Sequence, residues 1–170
     1  SYWKINEIGN LIDIFPEGQV VIMADGEIAG CALSIIVDFD ELGEKHTYKD
    51  ITDDPNFKIH DPEGDVLYGI DVFIRPDFRG LRLGRRLYDY RKELCENLNL
   101  KSIVFGGRMP NYHLHADKLS PKRLSSSARI KRLFGRRQGF GGVCGFNGMG
   151  QYLLYQTREK TKAFCDKKYC

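Results

Sequence analysis

The sequence has no long apolar run, no paired cysteines and no spaced histidine cluster, and each shortage excludes a class of protein. No stretch approaches the roughly 20 consecutive apolar residues that a membrane-spanning helix needs, so no membrane partner is expected. Cys31, Cys95, Cys144, Cys165 and Cys170 are odd in number and scattered. No Cys-x-x-Cys occurs among them, so neither a disulfide framework nor a zinc knuckle is indicated. The default is a reducing cytoplasm. Ser1-Tyr2-Trp3-Lys4 opens no charged-then-apolar pattern, so no secretory leader is read there. His46 and His60 lie in a polar stretch without ligand spacing, so no metal is expected and both read as solvated loop histidines.

What is present is ordinary for a globular chain of 170 residues with a single core. Its formal charge of +3 conceals an asymmetry. Up to Asp117 there are 13 Lys and Arg against 21 Asp and Glu, a net −8, whereas from Lys118 onward 13 stand against 2, a net +11. That break predicts two regions, a domain over 1–119 and a basic tail over 120–170. The tail has a Ser125-Ser126-Ser127 cluster, a basic run from Arg129 to Arg137, and seven glycines between Gly135 and Gly150. No strand pair is expected in it.

The chain is organised around Leu67 to Leu98. Leu67, Ile70, Val72, Phe73 and Ile74 are strand formers, and Pro76-Asp77 stops them. Arg79-Gly80-Leu81-Arg82-Leu83-Gly84 then forms a tight basic turn. A helix follows, in which Leu83, Leu87, Tyr90, Leu94 and Leu98 recur at helical spacing and are expected to form its buried face. Strand, glycine turn and helix together suit a phosphate. The first helical turn has unpaired N–H groups and the positive end of the dipole. Glycine admits close approach, and Arg79, Arg82, Arg85 and Arg86 add charge.

Around this unit, Ser1 to Phe15 has helical periodicity. Asp25-Gly26 joins two strands, Gln19 to Ala24 and Glu27 to Phe39, as a hairpin. Asp40 to Asp65 is a long acidic connection of the kind that often faces a substrate. Lys101 to Phe105 is a short buried strand, and Asn111 to Leu119 a short helix. The order α-β-β-β-α-β-α predicts an α/β (α+β) domain.

The turn resembles the R/Q-x-x-G-x-G/A motif of the GNAT N-acetyltransferases. Arg79 matches the first position and Gly84 the last, while Arg82 stands where the middle glycine is usual. Asp50 to Asp54, Arg79 to Tyr88 and Gly106 to Tyr112 are similar to the GNAT domain that some bacterial proteins carry fused to a carbon–nitrogen hydrolase domain. The likeness runs from Phe15 to about Lys122. It is partial at both ends, lacking the family's opening strand and helix and its closing strand pair. It implies a mixed, mainly antiparallel sheet flanked by helices, with splayed central strands.

The resemblance also implies roles. Acetyl-CoA, as co-substrate, would lie against Val72, Phe73 and Ile74 by its pantetheine. The amides of Gly80, Leu81, Arg82, Leu83, Gly84 and Arg85 would hold its pyrophosphate beside Arg79. The acceptor would be a small-molecule or protein amine. Acyl transfer needs a base to free the amine, and Asp71 is the candidate, with a surface or salt-bridged strand acid as the alternative. Tyr112 is the candidate acid for the leaving thiolate, or a packing tyrosine. Asn111 would hydrogen-bond the cofactor or cap the following helix. Two rival readings stand beside the enzyme. One is a non-catalytic CoA-binding or interaction module, working with a hydrolase partner or as a homodimer. The other is nucleic-acid binding through the tail, disfavoured because a charge run is usually a solvated face.

Overall fold

The computed structural model describes residues 3–43, 46–52, 54–108, 143–147 and 151–157. A short helix α1 (Ile5–Ile14) leads through a 3-10 turn at Pro16–Gly18 into β1 (Val20–Ala24) and β2 (Glu27–Val37). Two short helices follow, α2 (Phe39–Leu42) and α3 (Tyr48–Thr52). Then come β3 (Val66–Ile74), a 3-10 turn at Pro76–Phe78, α4 (Leu83–Asn97) and β4 (Ser102–Arg108). Two further strands, β5 (Val143–Asn147) and β6 (Gln151–Thr157), close the described chain. No helix among the described residues is long and apolar enough to cross a membrane.

The strands form one sheet in the order β1-β2-β3-β4-β6-β5. Asp25 and Gly26 both have positive φ, 51° and 78°, as the expected tight hairpin between β1 and β2 requires. The pairings are antiparallel except β3 with β4, which are parallel. A parallel neighbour needs a crossover, and α4 supplies it. The fold is thus the mixed, mainly antiparallel sheet with flanking helices that the sequence resemblance implied.

The tail departs from the sequence reading. No strand pair was expected after Ser120, yet β6 pairs with β4 along Ser102–Arg108 and β5 pairs with β6. Seven glycines and a basic run hide these strands, because sheet pairing is a tertiary gain that local propensity records poorly. The basic run itself, with the expected helix from Asn111 to Leu119, lies outside the described residues.

Strand alternation sends apolar side chains to both faces of the sheet. Leu33, Ile35, Val37, Val66, Tyr68, Ile70 and Val104 pack with Leu11, Ile51 and Phe57 on one side. Ile36, Leu67, Ile103 and Phe105 pack with Leu94 and Cys95 of α4 on the other. Burial on both faces explains why β2 and β3 read as nearly continuous apolar runs. The buried stripe of α4 is Leu83, Leu87, Arg91, Leu94 and Cys95. Tyr90 and Leu98, expected on that stripe, are exposed. Tyr90 sits one residue off it and donates its hydroxyl to the Glu17 carbonyl at 3.3 Å.

The histidines also differ from expectation. His46 is only 4% exposed. Its Nδ1 faces the Gly43 carbonyl at 2.6 Å and its Nε2 the Tyr68 hydroxyl at 3.0 Å. His60 stacks on Phe15 and accepts from the Ile36 N–H through Nδ1 at 3.1 Å. Both pin the long connection to the sheet, a role that spacing alone does not reveal.

Candidate functional site

The site lies where β3 leaves β4. The two strands pair in register from Val66↔Ser102 to Gly69↔Phe105 and no further. Beyond that point β4 continues against β6 alone, from Gly106↔Leu153 onward. β3 continues against β2 alone, as far as Gly30↔Ile74. The β4-facing edge at Asp71, Val72, Phe73 and Ile74 therefore has no strand on it among the described residues. Such an edge offers N–H and C=O groups to an extended ligand.

The turn after β3 meets the second requirement. The N–H groups of Gly80, Leu81, Arg82, Leu83 and Gly84 donate to no protein group among the described residues. Arg85 differs, because its N–H closes on the Arg82 carbonyl at 3.0 Å, so it brings chiefly its guanidinium. No side chain caps α4. An uncapped helix start with free amides is an anion site in waiting. Arg79, Arg82, Arg85 and Arg86 are all exposed around it. Of these four, only Arg85 has a carboxylate nearby among the described residues, Asp89 at 3.6 Å.

Two residues of the turn explain the motif's spacing. Arg82 adopts the left-handed conformation, φ 60° and ψ 20°, which glycine adopts without cost and other residues do not. That is the physical reason a glycine is usual there. A Cβ on Gly84 would meet only the Ile74 Cγ1, at 3.9 Å. The protein itself leaves room at that position.

Asp71 points to the α1 side of the sheet. The Trp3 Nε1 donates to its Oδ2 at 3.3 Å, and the Val72 N–H donates to its Oδ1 at 2.9 Å. No ion pair of Asp71 occurs among the described residues. Tyr48 of α3 is close by. Burial, then the charges of Asp71 and Glu7, push its hydroxyl up to about 12. Cys31 of β2 is pushed up by burial and by Asp71. The carboxylate thus sits half-buried against Trp3. Asn111 and Tyr112 lie outside the described residues.

Sequence reasoning missed Trp3 and Tyr48, which are far from Asp71 along the chain. It also missed Arg91, which lies on the apolar stripe of α4 and is 1% exposed. Its Nη2 donates to the carbonyls of Leu33 at 2.7 Å and Asp71 at 2.8 Å, and its Nε to Ser34 Oγ at 3.0 Å. Burial pulls the guanidinium below its ordinary value, against the charges of Tyr88 and Asp71. Its signal was there to read: four residues after Leu87 and three before Leu94, an arginine interrupts a leucine stripe.

The chain has relatives among known proteins. The chain is 43% identical over 120 residues to "Probable hydrolase YhcX" of Bacillus subtilis, covering 71% of this chain and 23% of that protein. It is 32% identical over 118 residues to "Uncharacterized N-acetyltransferase YkwB" of the same organism, covering 69% and 52%. It therefore spans about a quarter and about half of these two relatives. A solved GNAT-like decarboxylase, GphF in complex with isobutyryl-CoA, superposes with a TM-score of 0.66 at 16% identity, over 91% of this chain and 88% of that one. Residues 2–117 match the model of the acetyltransferase (GNAT) family. With its forked sheet, open helix start and this match over most of the sequence, the chain belongs to the acetyltransferase (GNAT) family.

Proposed function

We propose that the chain is an acetyl-CoA-dependent N-acyltransferase that moves an acetyl group to a primary amine in the cytoplasm. The observation that carries this reading is the nearness of two features: among the described residues, amides of Gly80 to Gly84 that donate to no protein group follow an edge of β3 that carries no strand. The first suits a pyrophosphate and the second an amide-bearing arm such as pantetheine. Val72, Phe73 and Ile74 would hold the arm, Gly80 to Gly84 the pyrophosphate, and Arg79, Arg82 and Arg85 would add charge around it. Asn111 would add a hydrogen bond.

In this reading Asp71 takes the proton from the amine, directly or through a water. The amine nitrogen bonds to the acetyl carbon and the carbon–sulfur bond breaks. Tyr112 returns a proton to the departing thiolate. The acceptor, an amine on a small molecule or a protein, enters from the α1 side, where Trp3 and Tyr48 surround Asp71.

Titration calorimetry with acetyl-CoA tests the site. Gly84→Glu places a side chain and a negative charge at the helix start, and we expect it to abolish binding with the fold intact. Unchanged affinity rejects the assignment. Thiol release across a panel of amines then tests transfer. The second reading is a CoA-binding module that works with a hydrolase, and the 43% identity to a protein named as a hydrolase favours it. Binding of acetyl-CoA without thiol release from any amine would select that reading.

A further inference from the structure

The α4 face of the sheet carries a charge that packing does not require. Arg91 is buried without a carboxylate ion pair among the described residues. Burying an unpaired charge is expensive, and an apolar residue of similar size would normally be favoured. A leucine would also continue the stripe of Leu87 and Leu94.

Its acceptors show what the guanidinium does. The β2–β3 ladder runs Leu33↔Asp71, then Ser34↔Gly69, so Ile70 has no counterpart. This is a β-bulge, which interrupts the ladder and re-aims the strand. The three groups that Arg91 bonds are the Leu33 carbonyl, the Asp71 carbonyl and the Ser34 hydroxyl, all at that interruption. One nitrogen, Nη2, bridges the two strands. Gly69 makes room for it, since a Cβ there would stand 2.8 Å from Nη1 and 3.1 Å from Cζ. The Tyr88 ring lies 5.7 Å from Cζ. Gly69 is also the last residue of β3 that pairs with β4. The bulge, the fork and the arginine thus coincide. Asp71 is held by its carbonyl from the α4 side while its carboxylate is presented on the α1 side.

We propose that Arg91 is a positioning residue, a buried guanidinium that stands in for the missing rung at the β3 bulge and so fixes the aim of the Asp71 carboxylate. The inference rests on the reading of Asp71 as the base. Arg91 touches neither acyl carrier nor amine; it acts through the backbone of Asp71.

Variants at four levels test it, on the full chain. Arg91→Met removes the donors. Arg91→Met with Gly69→Ala also fills part of the space vacated. Arg91→Lys keeps a charge and a donor. Arg91→Met in an Asp71→Asn background asks whether the effect passes through Asp71. Thermal midpoint, acetyl-CoA affinity, kcat and the KM for amine are measured on each. Arg91→Met should lower kcat on the order of a hundredfold, the usual scale for a misaimed group. Acetyl-CoA affinity should hold, because the Gly80–Gly84 turn is untouched. Adding Gly69→Ala should restore none of kcat whichever way the midpoint moves, since its Cβ also meets the Phe105 Cβ at 3.2 Å, and Arg91→Lys should recover part of kcat. With Asp71→Asn present, losing Arg91 should cost no further rate.

A kcat that returns together with the midpoint would make the role structural and overturn the proposal. So would a full additional loss in the Asp71→Asn background. Should Arg91→Met fail to fold, Arg91→Lys decides the matter, with native kcat counting against the proposal. A failure of the base assignment appears separately, as native kcat in Asp71→Asn alone.

Discussion

The two halves of β3 are one strand with two physical fates. Val66 to Ile70 is buried, while Asp71 to Ile74 is half-buried or exposed. From Val66 to Gly69 the first half has strands on both edges, and its side chains pack on both faces. The second has β2 on one edge and no strand on the other among the described residues. The boundary is the Ile70 bulge. The difference teaches that the same apolar sequence can serve as core and as ligand edge. What separates the two is where the neighbouring strand leaves, and residue type alone does not record that.

The sharpest way to break the comparison is at its boundary. Asp71→Asn should lower kcat by about two to four orders of magnitude, the range for loss of a general base. Stability should fall by about 1 kcal/mol, since Asp71 accepts the Trp3 and Val72 N–H groups on separate oxygens and Asn has only one oxygen to accept with. Steady-state kinetics beside a thermal melt checks both. Next in size is a contrast of stabilities. Leu67 is fully buried in the paired half, and Leu67→Ala should cost about 3 kcal/mol. Phe73 is 43% exposed in the free half, and Phe73→Ala should cost about 1 kcal/mol or less. Denaturant melts of the two variants that gave equal losses would erase the distinction between the halves.

The same contrast explains what was legible beforehand. The paired half, the turn and α4 announce themselves, because strand formers, Pro-Asp, glycines and a leucine stripe each have a local cause. The fold class follows from their order. The bulge is silent, since Ile70 continues an apolar run whether or not it is paired. Arg91 looks like one more surface charge until its spacing from Leu87 and Leu94 is weighed. Trp3 and Tyr48 reach Asp71 only through the fold. His46 reads as solvated because nothing local shows that Tyr68 will lie over it. Strands β5 and β6 are hidden by their glycine-rich setting and become strands through β4.

A smaller effect sharpens the turn. Arg82→Gly should relieve the left-handed strain and raise stability by about 0.5–1 kcal/mol, less than the full conformational gain because glycine also loosens the unfolded chain. Acetyl-CoA affinity should move the other way, weakening by less than about tenfold, since one exposed cation is lost and the amides remain. A melt and a titration on the same variant check the two signs. Affinity and stability that fall together would mean that the arginine helps hold the turn's shape.

The smallest effect concerns α3, whose Tyr48 feels the charge of Asp71. Thr47 and Asp50 clasp its start. The Thr47 N–H donates to Asp50 Oδ2 at 2.6 Å, and the Asp50 N–H donates to Thr47 Oγ1 at 3.2 Å. The Thr47 backbone N–H, then its side chain, hold the Asp50 carboxyl below its ordinary value. A carboxyl depressed in the folded state adds stability that is present above its unfolded value, about 3.9, and lost as pH falls through the folded value. α3 should therefore loosen below about pH 4, before the paired half of β3 does. Tyr48 reports on it: its ring resonances should shift over that acid range in the native chain and shift less in Asp50→Asn, where the charges of Asp71 and Glu7 still act on the ring. A shift of equal size in Asp50→Asn would assign the acid response to another group.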